Sequence, residues 1–215
     1  MKGFDKIDFE PTICREQLKA LDDLLAQNET LSEQEDVLPF FRKRRHLSAH
    51  LGTYHGQLSQ SNCVAYEFDV LGEVGADLVV GDYRSSDFVL IEFEDAQPDS
   101  IFKSKKRHRT HYARRLEKGF SQLVDWMWHL QDLSQTGKFE EVFGDRQPDF
   151  KPVLILGRSP FLNEDEREQQ RLDWRAQNVS IRGKLVPILT YDQLAKDIRQ
   201  SLQWYSESPK SGEPG

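Results

Sequence analysis

GADLVVGDYRSSDFVLIEFEDAQ, residues 75–97, is the stretch on which the fold turns. ADLVVGD and DFVLIEFEDA are apolar runs rich in β-branched and aromatic residues, separated by a polar turn, and they read as paired strands. Upstream, NCVAYEFDVLG alternates, with Val64, Tyr66, Phe68 and Val70 on one face, and Gly72 and Gly75 bracket the next turn. Three strands joined by short turns make an antiparallel meander. Acid stands where a core wants none: Asp77 at the start of one strand, Glu92 and Glu94 at the end of the next.

Helical patterns surround the meander. REQLKALDDLLAQ sets Leu18, Leu21, Leu24 and Leu25 on one stripe over residues 15–27. LSEQEDVLPFFRKRRHLSAHLG opens on Ser32 as an N-cap, with Glu35 completing a capping box, and is expected to run as a helix to Leu51 before Gly52, kinked at Pro39. A long helix is expected over residues 109–133, with Tyr112, Leu116, Phe120, Leu123, Met127 and Leu130 on its apolar face. PVLILG reads as a buried strand, NEDEREQQRLDWRAQN as a charged helix capped by Asn163, and KLVPIL as a strand before a helix capped by Thr190 or Asp192. The order α-α-β-β-β-α-β-α-β-α gives an α/β fold with a central mixed sheet flanked by helices. We divide the chain into a helical segment over 1–30, one domain over 31–205 and a tail, 206–215, that is disordered by composition.

At 215 residues, 37% hydrophobic and 30% charged, the chain has the balance of a soluble protein with one substantial core. No run approaches the roughly 20 apolar residues a membrane helix needs. The start, MKGFDKIDFEP, lacks the apolar centre of a signal peptide, and Cys14 and Cys63 have neither metal spacing nor the numbers for a disulfide framework. The expected location is the cytoplasm.

The net charge of −7 disfavours nucleic acid, but its distribution does not. Residues 103–118, KSKKRHRTHYARRLEK, carry a net +7, so the remainder holds −14. Lys103, Lys105, Lys106, Arg107, Arg109, Arg114 and Arg115 are the candidate phosphate contacts, and Arg42 to Arg45 form a second basic knot.

Residues two apart on a strand share a face, so Glu92 and Glu94 project together, and Asp77 can meet them across the pair. Bare carboxylates that close repel one another. A hard divalent cation, Mg²⁺ or Mn²⁺, removes the conflict, taking carboxylate oxygens plus water and a substrate phosphate. Such an ion can polarise a phosphodiester and supply hydroxide.

Asp77, the hairpin and IEFED together resemble the PD-(D/E)XK nuclease superfamily, whose core is α-β-β-β-α-β. Gln122-Leu-Val-Asp-Trp126 is similar to its Gln-x-x-x-Tyr element, with Trp for Tyr, and residues 153–194, from VLILGRSPFLN to ILTYDQL, are similar to the C-terminal half of the Shedu anti-phage nuclease domain. The resemblance spans residues 17–203 and implies a metal-dependent DNA endonuclease of bacterial phage defence. The implied ligands are Asp77 and Glu92 with the Phe93 carbonyl, Glu94 as base or third ligand, Glu35 as an extra acidic ligand and Gln122 as an orienting group. The implied partner is DNA, without a membrane, and the resemblance leaves homo-oligomerisation open. Glu94 stands where the family carries Lys; as an alternative to its acting as base or ligand, Lys105 or Lys106 would supply a migrated cation. The rival function is an inactive module of the same fold that binds nucleic acid or a protein. His46, His50 and His55 lack a neighbouring Cys or carboxylate in sequence and read as polar surface near the basic knot; Trp126, Trp128 and Phe120 read as core; Arg158 reads as a substrate contact or a turn residue.

Overall fold

The computed structural model describes residues 3–70, 72, 74–103, 111–163 and 167–207. Its elements are β1 (Asp5–Lys6), α1 (Pro11–Gln27), a π-helical turn (Glu33–Val37), α2 (Leu38–Arg42), α3 (Arg45–His50) and a 3-10 turn (Leu51–His55). The meander follows as β2 (Cys63–Val70), β3 (Val74–Asp82) and β4 (Asp87–Phe93). Then come β5 (Phe102–Lys103), β6 (His111–Tyr112), α4 (Arg114–Leu133), α5 (Gly137–Phe143) and β7 (Asp149–Ile155). The last elements are α6 (Glu168–Asn178), β8 (Ser180–Ile181), β9 (Lys184–Leu185), β10 (Ile188–Leu189) and α7 (Tyr191–Glu207).

Six strands form one mixed sheet in the order β1-β2-β3-β4-β7-β10. The meander is antiparallel, whereas β4–β7 and β7–β10 are parallel. Alternation along the strands builds two cores. Val89, Ile91, Phe93, Val153 and Ile155 point to one face and pack with α1, α2, α3 and α7. Phe88, Leu90 and Leu154 point to the other, under α4, α5 and α6. The result is an α/β/α sandwich whose sheet is hydrophobic on both sides, as strands between two helical layers must be. Helix α1 contributes Cys14, Leu18, Leu21 and Leu25 to the same core as the sheet.

Three helices differ from expectation. Residues 32–51 are a π turn and two short helices, because Pro39 has no N–H to continue a helix and is accepted only at the second position of α2. The N-cap is Ser32, whose hydroxyl accepts from Glu35 N–H, but the reciprocal bond to Ser32 N–H comes from Asp36 at 2.8 Å. A π turn is one residue wider, which moves the returning acid one position on. Helix α4 begins at Arg114, because His111–Tyr112 pair with Phe102–Lys103 as a two-stranded ribbon. Helix α6 starts at Glu168, beyond Asn163. Helix α7 is capped by Thr190: its Oγ1 accepts from Gln193 N–H at 3.1 Å, and its own N–H donates to Gln193 Oε1 at 2.9 Å. Residues 208–215 of the expected tail lie outside the described residues.

Candidate functional site

The β3–β4 ladder ends at Leu78 opposite Ile91. One step further, the Asp77 side chain replaces the ladder, its Oδ2 accepting from Phe93 N–H at 2.9 Å. This holds Asp77 beside Glu92, and the two carboxyls hydrogen-bond to each other. Both are acids in an apolar sheet. Burial pushes Asp77 up to about 6. Glu92, 3% exposed, is driven up to about 10, first by burial and then by the Asp77 and Glu94 charges. Burial and mutual repulsion therefore favour one shared proton on the pair at neutral pH.

Glu94 is fully buried and is held differently. Its backbone is fixed on both sides, the N–H donating to Ile155 O at 3.0 Å and the carbonyl accepting from Tyr191 Oη at 2.7 Å. Its carboxylate accepts from Lys118 Nζ at 3.0 Å and from Arg115 Nη1 at 3.4 Å, both on α4. Gly119 makes this approach possible, since a Cβ there would stand 3.3 Å from Glu94 Cγ, 3.7 Å from Glu92 Cγ and 2.8 Å from Leu154 Cδ1. Arg115 also pairs with Asp95 at 2.5 Å, and the other Asp95 oxygen accepts from Glu33 N–H at 2.6 Å. Gln122, one turn beyond Lys118 on α4, has a buried Oε1 with no partner among the described residues.

Of the three acids in the preceding turn, Asp36 is taken up by the Ser32 cap and Glu35 is exposed. Glu33 is the one that feels the site, raised by burial and then by the Glu94 charge. Lys103 and Arg114 are exposed and, with Glu94, Asp99, Arg115 and Lys118, line an open cavity of about 350 Å³. Lys105, Lys106, Arg107 and Arg109 lie outside the described residues. Sequence reading placed Lys118 at the end of the basic run 103–118 but missed its pairing with Glu94, 24 positions earlier in the chain.

A family model described as Shedu protein SduA, C-terminal, matches residues 30–195. The chain belongs to the Shedu family. Membership supports a role in anti-phage defence. No curated protein matches the chain. Among the described residues, no helix of this Shedu chain is long and apolar enough to cross a membrane.

Several other features of the Shedu domain are structural. Arg158, 7% exposed, caps the C-terminal end of α1 by donating to Leu25 O at 2.9 Å and Asn28 O at 2.6 Å, and grips Asp192 at the start of α7. A cation suits the negative end of a helix and an anion the positive end. It is a clamp between two helices, neither a plain turn residue nor exposed to substrate. The three arginines of the basic knot are engaged within the fold: Arg42 pairs with Glu67, Arg44 lies 3.7 Å over the Phe40 ring, and Arg45 donates to Lys6 O. Trp126 is core, but Trp128 is 60% exposed.

The three histidines go separate ways and are not simply polar surface. His46 accepts from Glu10 N–H, His50 is buried against Phe9 and Ser201, and the His55 side chain is buried. His55 has no carboxylate neighbour along the chain, but folding brings it two. Among the described residues, the one trio of such side chains whose ligand atoms all lie within 4.8 Å of one another is His55, Asp87 and Asp149, and it could hold a metal ion. It stands at the opposite end of β4 from Glu92.

Proposed function

We propose that this Shedu domain is a metal-dependent endonuclease that hydrolyses DNA phosphodiesters at the β3–β4 strand ends. The observation that carries the proposal is the Asp77–Glu92 pair: a half-buried and a buried carboxyl, both with raised pKa values, on the same strand ends as Glu94, whose carboxylate holds Lys118 and Arg115. Paired acids with raised pKa values in a site faced by cations are the arrangement expected where a divalent ion displaces the proton. The donor set suits Mg²⁺ or Mn²⁺, with carboxylate oxygens from Asp77 and Glu92, the Phe93 carbonyl, and the unpartnered Gln122 Oε1 as a group able to orient water. When bound, such an ion would polarise the scissile phosphate and lower the pKa of the attacking water.

The chain's own residues do the rest. Asp77 stays fixed by Phe93 N–H, so its free oxygen keeps one direction. Glu94 acts through charge: buried at the foot of α4, it holds Lys118 and Arg115 at the mouth of the site. The cation that the superfamily carries on the strand is thus supplied from the helix. Lys118 is 59% exposed along its side chain and faces solvent, where a phosphate oxygen would approach. Lys103 and Arg114 extend the positive surface along the cavity, a sequence-independent attraction for the DNA backbone.

A second reading, an inactive module that binds nucleic acid, is favoured by one observation: the Glu94 carboxylate is already occupied by two cations and has no free role as base. Cleavage of supercoiled and linear DNA with Mg²⁺ or Mn²⁺ decides between them. Wild type should cut, and Asp77→Ala and Glu92→Ala should not. If wild type binds DNA with steep salt dependence but cuts nothing, the inactive module replaces the nuclease.

A further inference from the structure

The far end of the same two strands carries a different donor set. Asp87 and Asp149 are a registered pair at the starts of β4 and β7. Five residues of extended strand, about 17 Å, separate Asp87 from Glu92. His55 closes the 3-10 turn that packs over this end, and its Nε2 reaches three oxygens: the Asp149 carbonyl at 3.2 Å, Asp149 Oδ2 at 3.6 Å and Asp87 Oδ1 at 3.8 Å.

We propose that His55, Asp87 and Asp149, with the Asp149 carbonyl, form a second divalent-metal site of the zinc class that clips the Leu51–His55 turn to the starts of β4 and β7. The spacing is that of a ligand shell. Bonds of about 2.0–2.1 Å give ligand-to-ligand edges of about 3.4 Å in a tetrahedron and about 3.0 Å between cis octahedral positions. The distances from His55 Nε2 to the oxygens, 3.2–3.8 Å, lie within a few tenths of an ångström of these edges, and the three side-chain ligand atoms all lie within 4.8 Å of one another. Two facing aspartates repel unless a cation lies between them.

Lys184 neutralises only part of this, and it does so from outside. Its Nζ contacts Asp149 Oδ1, leaving Oδ2 as the oxygen turned toward His55. That is the outer-shell role a hydrogen-bond partner plays for a ligating carboxylate. The His55 Nδ1 is buried without a partner among the described residues, a cost the fold bears in either tautomer and therefore neutral between the occupied and empty states. One imidazole nitrogen among oxygens selects a borderline ion such as Zn²⁺ over Mg²⁺, which prefers oxygen and retains water. The Asp149 side chain is 40% exposed and borders a cavity of about 520 Å³, whose charged lining also includes Lys184, Arg146 and Arg182.

The test uses the full chain stripped with EDTA and titrated calorimetrically with Zn²⁺ alone. An Asp77→Asn/Glu92→Gln variant removes the acid pair, so any failure of the nuclease reading leaves this result intact. That variant should still bind one equivalent of Zn²⁺ and melt several degrees higher with it. Adding His55→Ala should abolish the equivalent and the shift; if that protein folds poorly, Asp87→Asn, which keeps the shape, should weaken binding at least about tenfold. No Zn²⁺ bound by the acid-pair variant, or unchanged affinity after either His55→Ala or Asp87→Asn, overturns the site.

Discussion

Replacing Glu92 by glutamine separates shape from charge at the acid pair. Burial, and then the Asp77 charge, raises native Glu92 from the ordinary 4.5 to about 10. Between those values the folded chain holds a proton that the unfolded chain has lost. Its contribution to stability is therefore complete below pH 4.5 and drains away as pH rises toward 10, at about 1.4 kcal/mol per pH unit. Asp77, raised by burial to about 6, has the same sign but is spent before pH 7. From pH 7 to 9 the metal-free wild type should thus lose stability through Glu92, on the order of 2–3 kcal/mol. His50, kept near 4 by burial, is neutral throughout this window, and the cysteine thiols, raised by burial to about 12, act equally in both proteins. Glutamine mimics the protonated carboxyl and cannot titrate. Urea denaturation of both proteins in EDTA at pH 7, 8 and 9 should show the stability of Glu92→Gln gaining on wild type by that amount. Parallel pH dependences would refute the shared-proton account. Mg²⁺ should narrow the gap by stabilising the wild-type dianion alone.

Lys118→Met leaves buried Glu94 with Arg115 as its remaining partner, so stability should fall by about 1–3 kcal/mol and DNA cleavage should drop; adding Glu94→Gln should restore the stability without the cleavage. Arg158→Ala uncaps α1 and abandons Asp192, costing about 3–5 kcal/mol in chemical denaturation while the salt dependence of DNA binding stays as in wild type. Lys103→Ala and Arg114→Ala each neutralise one DNA phosphate fewer, so each should make the slope of log affinity against log salt shallower by about 0.9, with unchanged far-UV circular dichroism.

Much of the sheet was legible because strand periodicity is short and local. Period two in DFVLIEF assigns Val89, Ile91 and Phe93 to one core and Phe88 and Leu90 to the other, and it places Glu92 and Glu94 together on the α4 side. Helix boundaries were less legible where a single residue overrides a stripe, as Pro39 does at α2 and the β5–β6 ribbon does before α4. The histidines show the same limit at longer range. Nothing near His55 in sequence announces a ligand set, because Asp87 and Asp149 arrive from strand starts 32 and 94 positions away.

The glutamate at position 94 is the sharpest case. As a motif letter it looks like the loss of a cation. In the fold it is a buried anion, and a buried anion without a partner costs several kcal/mol, so the structure around it must supply positive charge. Helix α4 does so with Lys118 and Arg115, and Gly119 lets the helix come close enough for both to reach. The glutamate and the lysine are therefore one device distributed over a strand and a helix. Losing either half alone should be worse than losing both, which is the signature that a double-mutant cycle between Glu94 and Lys118 would read.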